Sequence, residues 1–149
     1  MKNRFETFTT QIAKISRNIR KIKTEEMEEF NLKSPHVSCL YYLYKQKGTL
    51  TARELCDICD EDKAAISRSI DYLENNGYLN CDSKTEKRYK SPLSLTEKGE
   101  NVGKLIADKI DNILDFASQG LSEEDREVFY NSFILISNNL QKICDKYGE

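Results

Sequence analysis

"TARELCDICDEDKAAISRSIDYLENNG", residues 51–77, contains two short helical patterns and the turn between them. Thr51 followed three residues later by Glu54 is a capping box, which starts a short helix through Leu55 to Cys59. Asp60 and Glu61 make a turn, Asp62 caps a second helix, and Ile66, Ile70 and Leu73 line one side of it until Gly77 stops it. Two helices joined by about three residues are a helix-turn-helix arrangement. Its usual turn glycine is replaced here by Asp60, one of the few residue types that tolerate a left-handed backbone.

If Ile66, Ile70 and Leu73 face inward, the helical step turns Ala64, Ser67, Arg68 and Asp71 outward, with Lys63 in the first turn. Small residues around one arginine let a helix approach another surface closely. Arginine pairs bidentately with guanine, and serine or the amides of a helix N-terminus hold phosphate, so this face suits a major groove.

Working outward, Ser34-Pro35 reads as an N-cap with proline at the first helical position. It opens a helix through Val37, Leu40, Tyr41 and Tyr44 to Lys45, broken at Gly48. After Gly77, alternation in Leu79/Cys81 and in Tyr89/Ser91/Leu93/Leu95 predicts a two-stranded hairpin, with Pro92 at an edge or bulge. Residues 84–90 carry four bases, Lys84, Lys87, Arg88 and Lys90, against one Glu, giving a second basic surface beside the first. Thr96 caps the helix that leads to Leu105.

The ends follow another rhythm. Phe5, Phe8, Ile12, Ile15, Ile19 and Ile22 recur in steps of three and four, and so do Phe129, Phe133, Ile136, Leu140 and Ile143 after the capping box Ser122/Asp125. Leu105, Ile106, Ile110, Ile113 and Leu114 mark a further helix ending near Gly120. Such seams exceed what a small middle can bury, so they are expected to pack together with a second copy, the alternative being a monomeric bundle.

Composition narrows the function. Among 149 residues the net charge is -2, yet residues 1–23 hold seven Lys/Arg against one Glu, and a local basic face matters more than the total. There is one histidine, His36, with no glycine-rich phosphate loop and no Ser/His/Asp arrangement, which argues against an enzyme. No cofactor is expected. No apolar run spans a membrane and no secretory signal is visible, so a cytoplasmic chain is the simplest expectation. The cysteines at 39, 56, 59, 81 and 144 do not form a disulfide framework. Cys56 and Cys59 are expected to be buried as small hydrophobes against the second helix, with reversible thiol chemistry and metal binding as the other readings.

With these residues in place, "GTLTARELCDICDEDKAAISRSIDYLENNGYL", the hairpin and "LSLTEKGENV" resemble the MarR family of bacterial transcriptional regulators over about residues 30–106. The resemblance implies a mainly α fold with a small β wing, α+β: a winged helix-turn-helix core at 30–98 with dimerisation helices at 1–29 and 99–149. It implies a homodimer on a pseudo-palindromic double-stranded DNA operator, acting as a ligand-responsive repressor. Lys63, Ala64, Ser67 and Arg68 would lie on the recognition helix, and Lys84, Lys87, Arg88 and Lys90 on the wing. The family's Asp-x-Arg at the wing tip falls on Lys87 and Tyr89 without a gap; a shift of one residue restores it as Glu86-x-Arg88. Some relatives sense oxidants through a cysteine in the first helix, but this chain has none before Cys39. His36 and Cys39 are then the effector-site candidates, for a small aromatic or phenolic ligand. The rival readings are a thiol-based redox regulator on this scaffold and a helical interaction protein that does not bind DNA.

Overall fold

A computed structural model describes residues 3–47, 50–59, 61–81 and 90–148. The elements are α1 (Arg4–Glu26), a 3-10 turn (Glu28–Phe30), α2 (Ser34–Lys45), α3 (Ala52–Ile58), α4 (Lys63–Asn75), β1 (Leu79–Cys81), β2 (Leu93–Leu95), α5 (Glu97–Ala117) and α6 (Glu123–Asp145). The fold is thus mostly helical with a two-stranded antiparallel sheet. Its contacts divide it into two compact units, Met1–Asp108 and Lys109–Glu149.

The first unit holds the core. α2 is its centre, packed against α1, α4 and β2, while α3 packs on α4. Leu40, Leu43, Leu55, Ile66 and Leu73 are completely buried, and Met27 and Leu32 close the corner between α1 and α2. The apolar spacing of each helix selects its inward face, and these aliphatic side chains supply most of the burial free energy, about 1.5–3 kcal/mol apiece.

Local signals set most boundaries. The Thr51 hydroxyl accepts from Glu54 N while the Glu54 carboxylate accepts from Thr51 N at 2.7 Å, the reciprocal box that starts α3. Asp62 Oδ1 accepts from Ala65 N at 2.7 Å and starts α4. Gly77 adopts φ +78 just past the end of α4, and Gly120 φ +92 past α5.

Two expectations are corrected. α2 begins one residue earlier than Ser34 as a cap predicts: Lys33 is the N-cap and Pro35 falls in the second helical position. The cause is tertiary, because Thr24 of α1 accepts the first orphan N–H, that of Ser34, and His36 Nδ1 accepts from Lys33 N at 3.0 Å. The second strand is shorter than the alternation from Tyr89 to Leu95 suggests. Pro92 has no N–H to extend the ladder, and it bridges Thr51 on the other side, with Leu93 N donating to Leu50 O. The apolar run from Leu105 lies, as expected, in the helix that Thr96 caps.

In the second unit no described residue is buried. α6 exposes Phe129, Phe133, Ile136, Leu140 and Ile143, each at 40 % or more. In the first unit α1 likewise leaves Phe5, Ile12, Ile15, Ile19 and Ile22 uncovered.

Of the described glycines, Gly99 is the most closely approached. A β-carbon there would collide with the Tyr78 carbonyl oxygen, which also accepts from Thr96 N and so cannot withdraw without breaking that bond. Gly99→Ala is expected to cost about 1–3 kcal/mol, read from urea unfolding at fixed protein concentration.

Candidate nucleic-acid interface

α4 is anchored at both ends, and the anchors come from different elements. Before its N-terminus, Arg20 of α1 pairs with Glu61 at 2.8 Å, and Glu61 is next to the Asp62 cap. Towards its C-terminus, Tyr72 donates its hydroxyl to Asn31 O at 2.7 Å, and its ring stacks on His36 with centroids 4.2 Å apart and planes 11° off parallel. Beyond the helix, Thr96 donates to Gly77 O at 2.6 Å; Lys98 donates to Asn76 O at 2.7 Å while its ammonium lies over the Tyr78 ring. Ile66, Ile70 and Leu73 fix the rotation of the helix by being buried.

That rotation leaves Lys63, Ala64, Ser67 and Arg68 exposed together on one side of α4. Ser69, between them in sequence, is buried and donates back to Ala65 O, so it belongs to the packed side. Asp71 is half-buried, not fully outward. Of the hairpin bases, Lys90 is described and exposed just before β2, whereas Lys84, Lys87 and Arg88, with Glu86 and Tyr89, lie outside the described residues.

His36 and Cys39 do not converge on an open site. Cys39 is completely buried on α2, beside Cys59. His36 is half-buried, its Nδ1 already engaged with Lys33 N and its ring face with Tyr72. Burial, then the charge of Lys33, lowers its pKa, so near neutral pH it is the uncharged tautomer with the proton on Nε2.

The two cysteines of the turn also separate. Cys59 is buried as expected, though against Cys39 of α2, while Cys56 is only half-buried, a correction. The neighbouring Cys39 thiol lowers the Cys59 thiol pKa, assisted by Lys23 and opposed by burial and Glu61. Cys39 itself is pushed well up, first by Cys59 and then by burial. Lys23, on α1, donates to Ser38 Oγ at 2.8 Å, and burial lowers its pKa. Cys56, Cys59, Glu61 and Asp62 line a depression of ≈ 450 Å³. Among the described residues no group of three His, Cys, Asp or Glu side chains is arranged to hold a metal, and no helix is long and apolar enough to cross a membrane.

Arg20, Lys23 and Tyr72 are the structural residues that sequence reasoning missed. Arg20 and Lys23 lie among the polar residues between the apolar positions of α1, and no short-range pattern distinguishes an anchoring base from a solvated one.

An acid-stability effect follows from His36. Because its pKa is lowered in the folded state, the unfolded chain binds the proton more readily. Its contribution to stability is therefore full above the ordinary value of 6.5 and is lost as pH falls from there through the lowered folded value. Between about pH 7.5 and pH 5, wild type is expected to lose more in melting temperature than His36→Phe, which keeps a ring against Tyr72 without the titration.

The sequence model of the MarR family matches residues 30–88, which span the helix-turn-helix and the first part of the hairpin. The HTH-type transcriptional regulator YwoH of Bacillus subtilis (strain 168), itself uncharacterized, is 29% identical over 123 residues, covering 83% of this chain and 88% of its own. A MarR family transcriptional regulator from Listeria monocytogenes, crystallised in complex with a 26-mer DNA, superposes with a TM-score of 0.78 at 24% identity, over 89% of this chain and 87% of that one. The MarR protein of Peptoclostridium difficile gives 0.83 at 18% identity, over 95% and 92%. The structural likenesses carry the fold, and the matched segment and the relative carry the kinship. In its helix-turn-helix segment and in its curated relative the chain is similar to the MarR family of transcriptional regulators, and it shares the fold of the solved MarR structures.

Proposed function

We propose that the chain binds double-stranded DNA as a homodimer, with α4 of each copy in successive major grooves of a pseudo-palindrome. The observation that carries this reading is the exposed group Lys63, Ala64, Ser67 and Arg68 on a helix whose rotation and ends are fixed by the core. Arg68 is the candidate for a guanine edge; Ser67 and Lys63 are candidates for phosphate contacts, and Ala64 permits close approach. Lys90, with Lys84, Lys87 and Arg88 of the wing, is assigned to backbone or minor groove. The complex of the Listeria relative with a 26-mer DNA supports the assignment.

Dimerisation rests on the uncovered seams. An α6 with no buried residue and an α1 with a row of exposed isoleucines would leave two apolar stripes in water, so a second copy is assigned to cover them. In this reading the core at 30–98 reads DNA and the segments 1–29 and 99–149 pair the copies. Half-sites then fall about one helical turn, roughly 34–36 Å, apart. Repression, with release by a small aromatic or phenolic effector, follows from the family resemblance; Cys39, being covered, is not retained as an effector contact.

Selection of bound DNA from a random pool tests the whole reading, and recovery of no palindrome would count against it. On the recovered duplex, Arg68→Ala is expected to weaken binding by about 1–3 kcal/mol and to relax preference at one position per half-site. Lys90→Ala is expected to weaken binding evenly across sequences and to reduce the salt slope by about 1. Phe133→Glu with Ile136→Glu is expected to shift sedimentation to the monomer and abolish tight binding; a double variant still dimeric and still bound would overturn the seam assignment.

A further inference from the structure

We propose that Asn76–Gly77 is a self-modification site: when the end of α4 opens, the Gly77 nitrogen attacks the Asn76 side chain, and the isoaspartate formed detaches the base of the hairpin from α4. Its effect on DNA binding rests on the reading above; the backbone chemistry does not.

Asn76–Gly77 is the one Asn-Gly pair in the sequence. Glycine has no side chain to hinder attack by its own nitrogen on the preceding amide, and Gly77 has open space where a β-carbon would be. Both residues are exposed at the C-terminal end of α4, so water reaches them. The closed end holds the reacting atoms apart. Asn76 Nδ2 donates to Tyr72 O at 2.7 Å, and Gly77 N donates to Glu74 O at 3.1 Å. Ring closure needs the Cα–Cβ bond of Asn76 nearly eclipsed with the bond from its carbonyl carbon to Gly77 N. At φ -96 and ψ 8 those bonds point well apart, so the reaction proceeds from the frayed helix end.

Once the end frays, the Gly77 nitrogen gives its proton to hydroxide and attacks Asn76 Cγ. The carbon–nitrogen bond of the side-chain amide breaks, and ammonia leaves with a proton taken from water, closing a succinimide ring. Water then opens the ring at either carbonyl. Opening at Cγ leaves aspartate; opening at the main-chain carbonyl leaves isoaspartate, with the backbone running through Cβ and Cγ. One water is consumed for each ammonia released, and nothing is oxidised or reduced.

Isoaspartate lengthens the backbone by one carbon where α4, the hairpin and α5 are tied together. Asn76 O accepts from Lys98 Nζ at 2.7 Å and Gly77 O from Thr96 Oγ1 at 2.6 Å. Tyr78 N donates to Leu73 O at 2.8 Å, and Tyr78 O accepts from Thr96 N at 3.0 Å. An inserted carbon cannot keep all of these ties in register. Aspartate is the milder product: it loses the Nδ2 donor and sets a carboxylate at the negative end of α4. The exposed bases of α4 and Lys90 of the hairpin lie on opposite sides of this junction along the chain, so isoaspartate loosens one against the other.

The test incubates the full chain at mildly alkaline pH, labels isoaspartate with an isoaspartyl methyltransferase and labelled S-adenosylmethionine, and maps it by electron-transfer mass spectrometry. Label is expected at Asn76 alone, accumulating about tenfold more slowly than in a free peptide of residues 70–81. Lys98→Met, which removes the tie to Asn76 O, should raise the rate towards that of the peptide. Asn76→Gln, which keeps an amide but closes its ring far more slowly, should take no label. A folded chain that converts as fast as the peptide, or a Lys98→Met rate equal to wild type, overturns control by the helix end. No label at Asn76 once the peptide has converted, or label chiefly at Asn131, overturns the site. On the selected duplex, the isoaspartyl fraction separated by ion exchange should bind about tenfold more weakly than fresh protein, with equally aged Asn76→Gln unchanged. Mapped isoaspartate with unchanged affinity overturns the effect on DNA alone. Fresh protein that binds no duplex overturns the DNA-binding reading and that effect with it, while the label still decides the chemistry.

Discussion

Burial of Ile66, Ile70 and Leu73 against α2 and α3 is the constraint on which the rest of the molecule depends. A helix free to roll would present a changing set of side chains. With three aliphatic residues locked in a close-packed core, α4 has one rotation, and the residues left outside are set by geometry. The polar ties at its ends add little packing but hold its tilt: the Asp62 cap and Arg20–Glu61 before it, Tyr72 with His36 and Asn31 towards its end, and Thr96 and Lys98 beyond.

The sequence made this much visible because the deciding signals are short-range. The capping box at Thr51, the Ser122 and Asp62 caps and the stop at Gly77 act within four residues, and each appears where its pattern places it, although the box expected at Ser122 keeps only its hydroxyl half. The outward face of α4 was legible from the 100° step alone. The start of α2 was not, because Thr24, ten residues upstream of Ser34, supplies the acceptor. Nor was the neighbour of Cys59: the spacing places it against the second helix, while the fold brings Cys39 of α2 beside it. The roles of Arg20, Lys23 and Tyr72 share this property, since each depends on a contact made across the chain.

The two units divide the energetics unevenly. The first buries a continuous apolar core and satisfies its helix ends internally. The second has regular helices, a well-formed cap at Ser122 and no buried residue among those described, so propensity and capping define its helices without supplying the burial that most helices in proteins need. Its stability is therefore borrowed from whatever covers its apolar stripe, and becomes dependent on concentration if that cover is a second chain.

The Arg20–Glu61 pair gives the first helix a mechanical role. α1 runs for 23 residues, about 35 Å at the usual rise, and its apolar stripe and Arg20 occupy the same rod. A roll of that rod, from whatever cause, moves the guanidinium and pulls on the carboxylate one residue before the Asp62 cap. The pair thus ties the position of α1 to the segment that starts α4.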